Sequence, residues 1–470
     1  MKGFQAFSGE ITMHDTVTEK FSSWLSSFQI SDVSTRMKEV AILDLVDAAG
    51  LCVAAAPEVY AKQLISSWDN DGTCTAIGHG RSLDAAGAAL LNGVGTHGED
   101  FDDTLEGAPI RVGAMTIPAA LAVGEHFNLS GERVFLGICA GLEAVCRINT
   151  VAPGHIHKAG FHPVGVIGAL GAAAASSVTL GLNKAQTTAA FGIAGSLSSG
   201  ILEYLTEGSW TKRLHPGWAA QSGIKAAIIA KSGFFAPRTV LDGPNSFFRA
   251  FAPTSEPDFF HMLDGIGSKW LAEDIVFKPY ACGTMIHPYI DCMIELRRRG
   301  TKVDQIKRIR CKTGEGLVHR LWEPLAAKHA PPSGYAAKFS MPFCMAVSFF
   351  DGDAGLNQFY DQRVGDPDVL GLAERISYEI DPDNEYPQNY TGHIKVELSS
   401  GECIEIDQPH MRGGKREPLT EKQITEKFAN NCVHGGWKRN RYEALLEFLM
   451  NIASRQDMSG FGRVASATSN

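Results

Sequence analysis

The amino-acid sequence predicts a mostly α-helical protein, in which a large all-α domain is interrupted by a smaller α+β domain. Apolar residues recur with helical periodicity from residue 16 to about residue 272. Beyond that point the pattern changes to strand-like alternation, and helical periodicity returns after Thr420. We therefore expect residues 1–275 and 412–470 to form the helical domain and residues 276–411 to form the inserted α+β domain.

The glycine content indicates how the predicted helices pack. Glycine makes up 49 of 470 residues, or about 10%, compared with ~7% in typical proteins. Much of it lies in Ala- and Gly-rich helical stretches, so we expect helices that approach one another closely. Several stretches follow an Asp, Ser or Asn whose side-chain oxygen can cap free N–H groups. The predicted helices are Val40–Gly50, Asp84–Gly95, Thr116–Phe127, Ser130–Val151, Val164–Leu180, Lys184–Ser198, Ala219–Ser232, Glu421–Ala429 and Tyr442–Ala453.

The inserted domain is predicted from alternating apolar and polar residues. One alternating run ends in Ser-Gly and then resumes, which is typical of a hairpin turn. Two short apolar segments between the strands have helical periodicity. The predicted strands are Lys307–Thr313 and Arg375–Ile380, the predicted hairpin is His393–Ile406, and the predicted helices are Pro342–Phe349 and Asp368–Glu374.

Composition and charge exclude several classes of protein. The balance of 43 basic against 52 acidic residues gives a net charge of −9, which disfavours binding to nucleic acid. The apolar stretch Val164–Gly181 is rich in Ala, Gly and Ser, so we expect a buried helix and no membrane partner. The first ten residues lack an apolar signal run, and the ten cysteines include no CxxC pair. We therefore expect a cytoplasmic protein.

An acidic segment, Gly98–Glu106, is the first candidate for chemistry. Its three aspartates can hold Mg²⁺, supply a base or orient a basic partner. The magnesium alternative would make the protein a prenyl-diphosphate or terpene enzyme. The sequence contains no second aspartate-rich segment of similar density to hold the other ions. A solvated helix end without chemistry is the third alternative.

Three further segments combine cations or histidines with a helix start or a domain junction. The segment Gly154–Pro163 contains three histidines before a Gly-rich helix, whose free N–H groups favour an anion. Trp210–Ala220 contains Lys, Arg and His, and Phe277–Gly283 places Lys278 in an apolar setting that lowers a lysine pKa. Each lysine taken alone is also compatible with an ordinary surface residue. Together the segments predict a pocket for a small polycarboxylate in a cleft between the domains.

Five segments in this order resemble the MmgE/PrpD family, whose members include dehydratases, decarboxylases and epimerases of small di- and tricarboxylic acids. The resemblance covers nearly the whole chain. Each segment is only moderately specific by itself, but the five occur in register. The segments are Asp100–Thr104, Phe161–Gly171, Thr211–Ala220, Phe277–Cys282 and Phe350–Gly352.

The resemblance implies both a fold and an active site. It implies a helical domain completed by the C-terminus, an inserted α+β lid domain and a homodimer that works without metal or other cofactor. Asp100, Thr104, His162, Lys212 and Lys278 fall on positions that line the family's active site. The predicted catalytic residues are Asp100, His162, Lys212 and Lys278, and the predicted substrate-binding residues are Thr104, Arg111, His215 and Tyr280.

The predicted activity is proton abstraction and return next to a carboxylate. A 2-methylcitrate dehydratase-like hydro-lyase is the first expectation, with a desolvated Lys212 or an Asp100–His162 pair moving the proton. Arg111 stands where the family's decarboxylases have a histidine, and a guanidinium is a poor proton donor. This replacement favours an epimerase of a polycarboxylate such as iminodisuccinate as the alternative, and makes a cis-aconitate-type decarboxylase a weaker one. A non-catalytic helical scaffold is the remaining alternative.

Overall fold

A computed structural model describes residues 15–106, 108 and 110–467. The N-terminal residues that lack an apolar signal run lie outside the described residues. The mostly α-helical class is confirmed. Helices of seven or more residues in this described part are α1 Val17–Ser27, α2 Thr35–Ala55, α3 Val59–Ser66, α4 Ala85–His97, α5 Gly113–His126, α6 Gly131–Asn149, α7 Pro163–Leu180, α8 Lys184–Leu197, α9 Thr211–Lys231, α10 His287–Arg298, α11 Met341–Asp351, α12 Pro367–Ala373, α13 Glu421–His434 and α14 Arg439–Met450.

Short helical turns connect these helices. The α-helical ones are His155–Lys158, Tyr204–Glu207, Phe247–Phe251, Phe260–Leu263, Glu315–Leu317, Leu325–His329, Gly334–Ala337, Asp361–Val364 and Phe461–Ala465. The 3₁₀ turns are Ile30–Asp32, Leu271–Asp274, Thr284–Ile286, Val303–Gln305, Leu356–Phe359 and Ile452–Ser454, and Val318–Trp322 is a π-helix.

The strands in the described residues form one four-stranded sheet and two two-stranded ones. They are β1 Asp71–Thr75, β2 Ser82–Leu83, β3 Thr104–Leu105, β4 Ile275–Val276, β5 Ile306–Thr313, β6 Ile376–Ile380, β7 Gly392–Leu398 and β8 Cys403–Gln408. The larger sheet has the order β6-β5-β7-β8, with β5 and β6 parallel and the other pairs antiparallel. The predicted hairpin is present as β7 and β8, and Gly401 in its turn has a positive φ of 89°.

The main hydrophobic core joins the N-terminal helices to the C-terminal ones. Phe428 on α13 and Phe448 on α14 are buried in the same cluster as Val46 on α2 and Leu170 on α7. A second cluster contains α10, α11 and the inner face of the four-stranded sheet. The four-stranded sheet therefore lies inside the segment predicted as α+β, while the chain after it returns to the helical core. The domain boundaries and the assignment of the inserted domain as a lid stay predictions.

Helix α7 lies at the centre of the helical core. Among the described helices it is long and apolar enough to cross a membrane by composition, but 94% of it is buried inside the molecule. Such burial is typical of a core helix, and it agrees with the close packing expected from its Ala and Gly content. An added Cβ at Gly223 of α9 would lie 2.4 Å from the Cβ of Ala172 on α7. Only glycine fits this crossing.

Helix α9 begins eight residues earlier than the predicted start at Ala219. It starts at Thr211 and continues through Pro216, whose missing N–H leaves the carbonyl of Lys212 free of its helical partner. The prediction treated the segment before Ala219 as a loop leading into the helix. Lys212 and His215 instead lie on the first two turns of α9, so the helix fixes their spacing.

The helix crossing at Gly223 yields a stability prediction. Gly223→Ala forces a methyl group against Ala172, and we expect the free energy of unfolding to fall by about 1–3 kcal/mol. The matched control is Gly371→Ala on α12, where an added Cβ would meet nothing within 4 Å. There we expect a gain of ~0.5–1 kcal/mol, since alanine favours a helix interior. Urea unfolding measures both, and equal effects of the two changes would contradict the close packing.

Candidate active site

The segment that follows α4 is held by four cationic side chains. The backbone carbonyl of each residue from 98 to 101 accepts a hydrogen bond from a different lysine or arginine. These donors come from four separate parts of the chain, and such charge-assisted bonds are the stronger ones in proteins. The pairs are Gly98 with Arg213 Nε at 2.7 Å, Glu99 with Lys338 Nζ at 2.6 Å, Asp100 with Lys278 Nζ, and Phe101 with Lys427 Nζ at 2.7 Å.

Asp100 occupies the centre of this segment in an unusual backbone conformation. Its φ is +55°, in the left-handed region, and it is 2% exposed. Its carboxylate lies 3.1 Å from Arg111 Nη2, 3.3 Å from Lys212 Nζ and 3.8 Å from Lys278 Nζ. Burial alone would raise the pKa of Asp100, but the charges of Lys212, Lys278 and Arg111 hold it well below its usual range. Asp100 is therefore ionised, binds the surrounding cations and is a weak base.

Arg111 is fixed by three oxygen partners. Its Nη1 donates to the hydroxyl of Thr104 at 2.6 Å, and its Nε lies 3.4 Å from the carboxylate of Asp102. The Thr104 hydroxyl in turn donates to the carbonyl of Ile110 at 3.1 Å. Burial opposes the charged form, but the surrounding aspartates raise the pKa of Arg111, so it stays a cation. It can bind a carboxylate, but it has no proton to give near neutral pH.

His97 and Asp102 form a buried pair that the sequence analysis missed. The Nδ1 of His97, on the last turn of α4, lies 2.7 Å from the carboxylate of Asp102. His97 is 2% exposed, and its Nε2 has no hydrogen-bond partner among the described residues. Burial lowers the pKa of His97 despite the opposing charge of Asp102. The position of His97 in the sequence, three residues before Asp100, could have indicated that it belongs to the site.

The aspartates of the acidic segment have separate partners. Asp103 accepts hydrogen bonds from the N–H groups of Val112 and Gly113 at 2.8 and 3.0 Å and so caps the start of α5. Asp102 faces His97 and Arg111, and Asp100 faces the cations. The three carboxylates do not converge on a common point, as the magnesium alternative would require. Their geometry instead matches the alternative in which the acids orient basic partners.

His162 forms a hydrogen bond with a second histidine, His215. Their Nδ1 atoms lie 3.0 Å apart, and the ring of Tyr204 packs with its edge towards both imidazoles. Burial, together with His97 and His215, lowers the pKa of His162 well below its usual range. Burial and nearby cationic groups lower the pKa of His215 to about 4. The hydrogen-bond partner of His162 is thus His215, whereas the sequence analysis paired it with Asp100.

The two lysines next to Asp100 differ in their protonation. Burial opposes the charge of Lys212, but Asp100 outweighs it, and the pKa of Lys212 is raised. Burial dominates at Lys278, which is 0% exposed, and lowers its pKa to about 8. The lowered pKa expected for Lys278 from its apolar segment agrees with its burial, whereas the desolvated Lys212 expected from the sequence does not. Lys212 is a cation near neutral pH and can donate a proton or hold a carboxylate.

These side chains surround a cavity of about 440 Å³ between the helical part and the part that carries the four-stranded sheet. Lys158 and Arg320 line its outer part from opposite segments of the chain. Both are exposed, and neither has a carboxylate partner among the described residues. Three larger cavities, of about 850, 750 and 580 Å³, lie elsewhere, and the first two share His434. None of the three contains the cation and histidine cluster, so we assign the site to the smaller cavity.

The predicted site residues occupy three kinds of position. Five line the cavity, namely Asp100, Thr104, Arg111, His162 and Lys212. Two support it from behind: Lys278 contacts Asp100, and His215 contacts His162. Tyr280 lies away from it, where its hydroxyl bonds to Asp291 and Arg412. The lining residues that sequence reasoning missed are His97, Lys158, Tyr204 and Arg320.

Comparison with known families identifies the chain. Residues 19–259 match the sequence model of the MmgE/PrpD N-terminal domain, and residues 280–447 match that of the C-terminal domain. The chain belongs to the MmgE/PrpD family. The family's two domain models thus cover both the helical core and the segment that contains the four-stranded sheet.

Several curated relatives in the MmgE/PrpD family are decarboxylases by name. A cis-aconitate decarboxylase-like protein of Aspergillus oryzae is 27% identical over 89% of this chain and 90% of its own. The cis-aconitate decarboxylase of Aspergillus terreus is 25% identical over 88% of both chains. That of Homo sapiens is 27% identical over 95% of this chain and 94% of its own. Family membership and these relatives support a lyase-type enzyme.

Two buried carboxylates behind the site yield a pH prediction. Burial and Asp102 raise the pKa of Asp103 from 3.8 to about 7, and burial and Asp103 raise the pKa of Asp44. Because the folded state then binds more protons than the unfolded one between about pH 4 and 7, its stability falls as pH rises through that range. Asp44→Asn removes one like charge, and we expect a smaller slope and a more stable protein at pH 8.

Thermal unfolding at several pH values measures this slope. The matched control is Asp69→Asn, which changes an exposed aspartate and should leave the wild-type slope intact. Identical slopes for wild type and Asp44→Asn would contradict the coupling between Asp44 and Asp103.

Proposed function

We propose that the protein is a cofactor-independent lyase that acts on a small di- or tricarboxylic acid by moving a proton next to a carboxylate. The single observation that carries the proposal is the charge of the cavity. Among the described residues, its lining contains four basic side chains, Arg111, Lys158, Lys212 and Arg320, and one acidic side chain, Asp100. Since an ion is bound best where opposite charges are already fixed, the cavity favours an anion with several carboxylates.

The cations divide into an inner and an outer group. Arg111 and Lys212 contact Asp100 and lie deep in the cavity, with side chains that are 15% and 12% exposed. Lys158 and Arg320 lie at the outer part and are free of ion pairs among the described residues. A substrate with carboxylates at both ends would therefore contact both groups. The inner cations would stabilise the negative charge that develops when the neighbouring C–H bond breaks.

The proton acceptor is best assigned to a neutral imidazole. The Asp100 carboxylate is already engaged in ion pairs with the three surrounding cations, and Lys212 is protonated near neutral pH. His162 lines the cavity, is neutral and has its Nδ1 engaged by His215. Its Nε2 is then the nitrogen available to take a proton. Lys212, as a cation, is suited to hold the carboxylate or to protonate a leaving group.

The leaving group defines two candidate lyase reactions. Loss of water after proton abstraction gives a hydro-lyase of the 2-methylcitrate dehydratase type, which uses His162 as base and Lys212 as acid. Loss of carbon dioxide gives a decarboxylase, which the names of the relatives favour. Arg111 weighs against the decarboxylase because it cannot protonate the carbon. We therefore place the hydro-lyase first, with the decarboxylase second.

A single incubation in D₂O with citrate, 2-methylcitrate and cis-aconitate distinguishes the reactions. New alkene absorbance without carbon dioxide supports the hydro-lyase, and carbon dioxide release supports the decarboxylase. Deuterium at a stereocentre with neither product would identify an epimerase and contradict a lyase. No reaction and no exchange with any of the three would contradict the proposed function. His162→Gln should abolish whichever reaction is seen, which ties it to this cavity.

The outer cations yield a prediction about substrate affinity. Lys158→Met and Arg320→Met each remove one contact to a carboxylate, and we expect KM to rise about 10-fold with kcat little changed. A hydrogen bond to a charged group contributes ~1.5–3 kcal/mol, and the exposure of these side chains places the loss near the lower end. Steady-state kinetics on the substrate identified above measures the effect.

The matched control is Lys225→Met, which removes an exposed lysine of α9 away from the cavity. It should leave KM and kcat at wild-type values. An unchanged KM in both Lys158→Met and Arg320→Met would show that these cations do not contact the substrate.

A further inference from the structure

We propose that His215 is a proton-relay partner of His162, which takes the Nδ1 proton of His162 when the Nε2 of His162 removes a proton from the substrate. The inference rests on the proposed function, in which His162 is the base. It assigns His215 a role different from the substrate contact expected from the sequence. The observation that carries it is the direct 3.0 Å contact between the Nδ1 atoms of the two rings.

A hydrogen bond between two ring nitrogens constrains both tautomers. One Nδ1 must carry the hydrogen and the other must offer its lone pair. If His162 is the donor, its Nε2 carries a lone pair towards the cavity and can act as base. If His215 is the donor, His162 carries its hydrogen on Nε2 and can act as acid. The protonation state that the substrate meets is therefore set by His215.

The two states are connected by a balanced proton movement. The carbon–hydrogen bond of the substrate breaks, its electron pair stays on the substrate carbon, and its proton bonds to Nε2 of His162. The Nδ1 proton of His162 then passes to Nδ1 of His215. His162 is again neutral, now as the Nε2–H tautomer, and His215 carries the positive charge. The proton on Nε2 of His215 can then leave to water, which restores its neutral form.

The residues around the two rings favour transfer of the proton from His162 to His215. His97 on α4, Lys212 on α9 and Arg111 before α5 all oppose a positive charge on His162, which is 6% exposed. His97 and Lys212 oppose a charge on His215 as well, but His215 is less buried. Tyr204 packs against both rings and carries no charge of its own near neutral pH, because burial raises its pKa to about 12. A proton on His162 is thus less stable than one on His215.

The backbone at Gly200 fixes the relative position of the His162 and His215 rings. The N–H of His162 donates to the carbonyl of Gly200 at 2.8 Å. Gly200 has a φ of +119°, and an added Cβ there would lie 3.2 Å from the ring of His215. The same residue therefore fixes His162 through a hydrogen bond and lies against the face of His215. Such a fixed geometry is what a proton relay requires.

Two substitutions at His215 separate orientation from proton transfer. His215→Asn offers an amide oxygen that can accept the Nδ1–H of His162 but cannot carry a proton onward. His215→Phe can do neither. For the substrate that wild type converts among citrate, 2-methylcitrate and cis-aconitate, we expect kcat to fall about 100-fold in both variants, within the range for a lost acid–base partner, and KM to change less than 3-fold.

A solvent isotope effect on kcat tests the transfer itself. The proton that moves between the two rings exchanges with water, whereas the hydrogen taken from the substrate stays on Nε2 of His162. We expect wild type to turn over more slowly in D₂O than in H₂O, and this difference to be largely lost in His215→Asn, in which no proton leaves His162 through Nδ1. Wild-type kcat together with a wild-type isotope effect in His215→Asn would overturn the relay and leave His215 as a positioning residue only.

Nitrogen NMR of ¹⁵N-histidine-labelled protein tests the relay without any substrate, with His162→Gln and His215→Asn used to assign the signals. We expect two neutral imidazoles of which one carries its hydrogen on Nδ1 and the other on Nε2. Two Nε2–H tautomers would exclude the Nδ1–Nδ1 hydrogen bond and overturn the relay. Unlike tautomers combined with no turnover of any acid would support the relay geometry while rejecting the proposed function.

Discussion

The site depends on the way in which four cations hold the backbone of residues 98–101. A buried carbonyl needs a donor, and each of these four carbonyls has a lysine or arginine as its partner. Two of the donors, Arg213 and Lys278, come from the segments that also border the cavity. The other two, Lys338 and Lys427, come from the part that carries the sheet and from the C-terminal helices. Residues 98–101 therefore contact parts of the chain that are far apart in sequence.

The conformation of residues 98–101 determines the electrostatics of the cavity. It holds Asp100 in a left-handed conformation, with its carboxylate towards Arg111 and Lys212. The buried carboxylate of Asp100 thus brings several cations together, although the net charge of the chain is −9. The remaining positive charge lies at Lys158 and Arg320, in the outer part of the cavity. The histidines beside this cluster stay neutral because burial and the neighbouring cations both oppose their protonation.

The fold and much of the site could be predicted because their signals are local. The 3.6-residue periodicity located the core helices, and the Ala/Gly content anticipated crossings such as Gly223 on Ala172. Order along the chain also indicated that Asp100, His162 and Lys212 meet in one cavity. The start of α9 was predicted too late, because Pro216 is typical of a helix boundary but here lies inside the helix.

Pairings between distant side chains could not be predicted in the same way. The sequence does not show which lysine pairs with the Asp100 carboxylate and which is buried beneath it. Lys212 was therefore expected to be desolvated, although Asp100 raises its pKa. The sequence also does not show that His215 turns towards His162, or that Tyr280 turns to Asp291 and Arg412. These contacts depend on three-dimensional placement. Periodicity and motif spacing contain no information about them.

Amide hydrogen exchange of residues 98–104 in Lys338→Met tests whether the four cations hold this segment. Lys338 donates to both the carbonyl and the carboxylate of Glu99, which is accessible enough to be rehydrated when the lysine is lost. The control is Lys422→Met, whose lysine is exposed on α13. We expect faster exchange in this segment for Lys338→Met, with α7 as protected as in wild type and the control unchanged. Wild-type protection of residues 98–104 in Lys338→Met would contradict this role of the four cations.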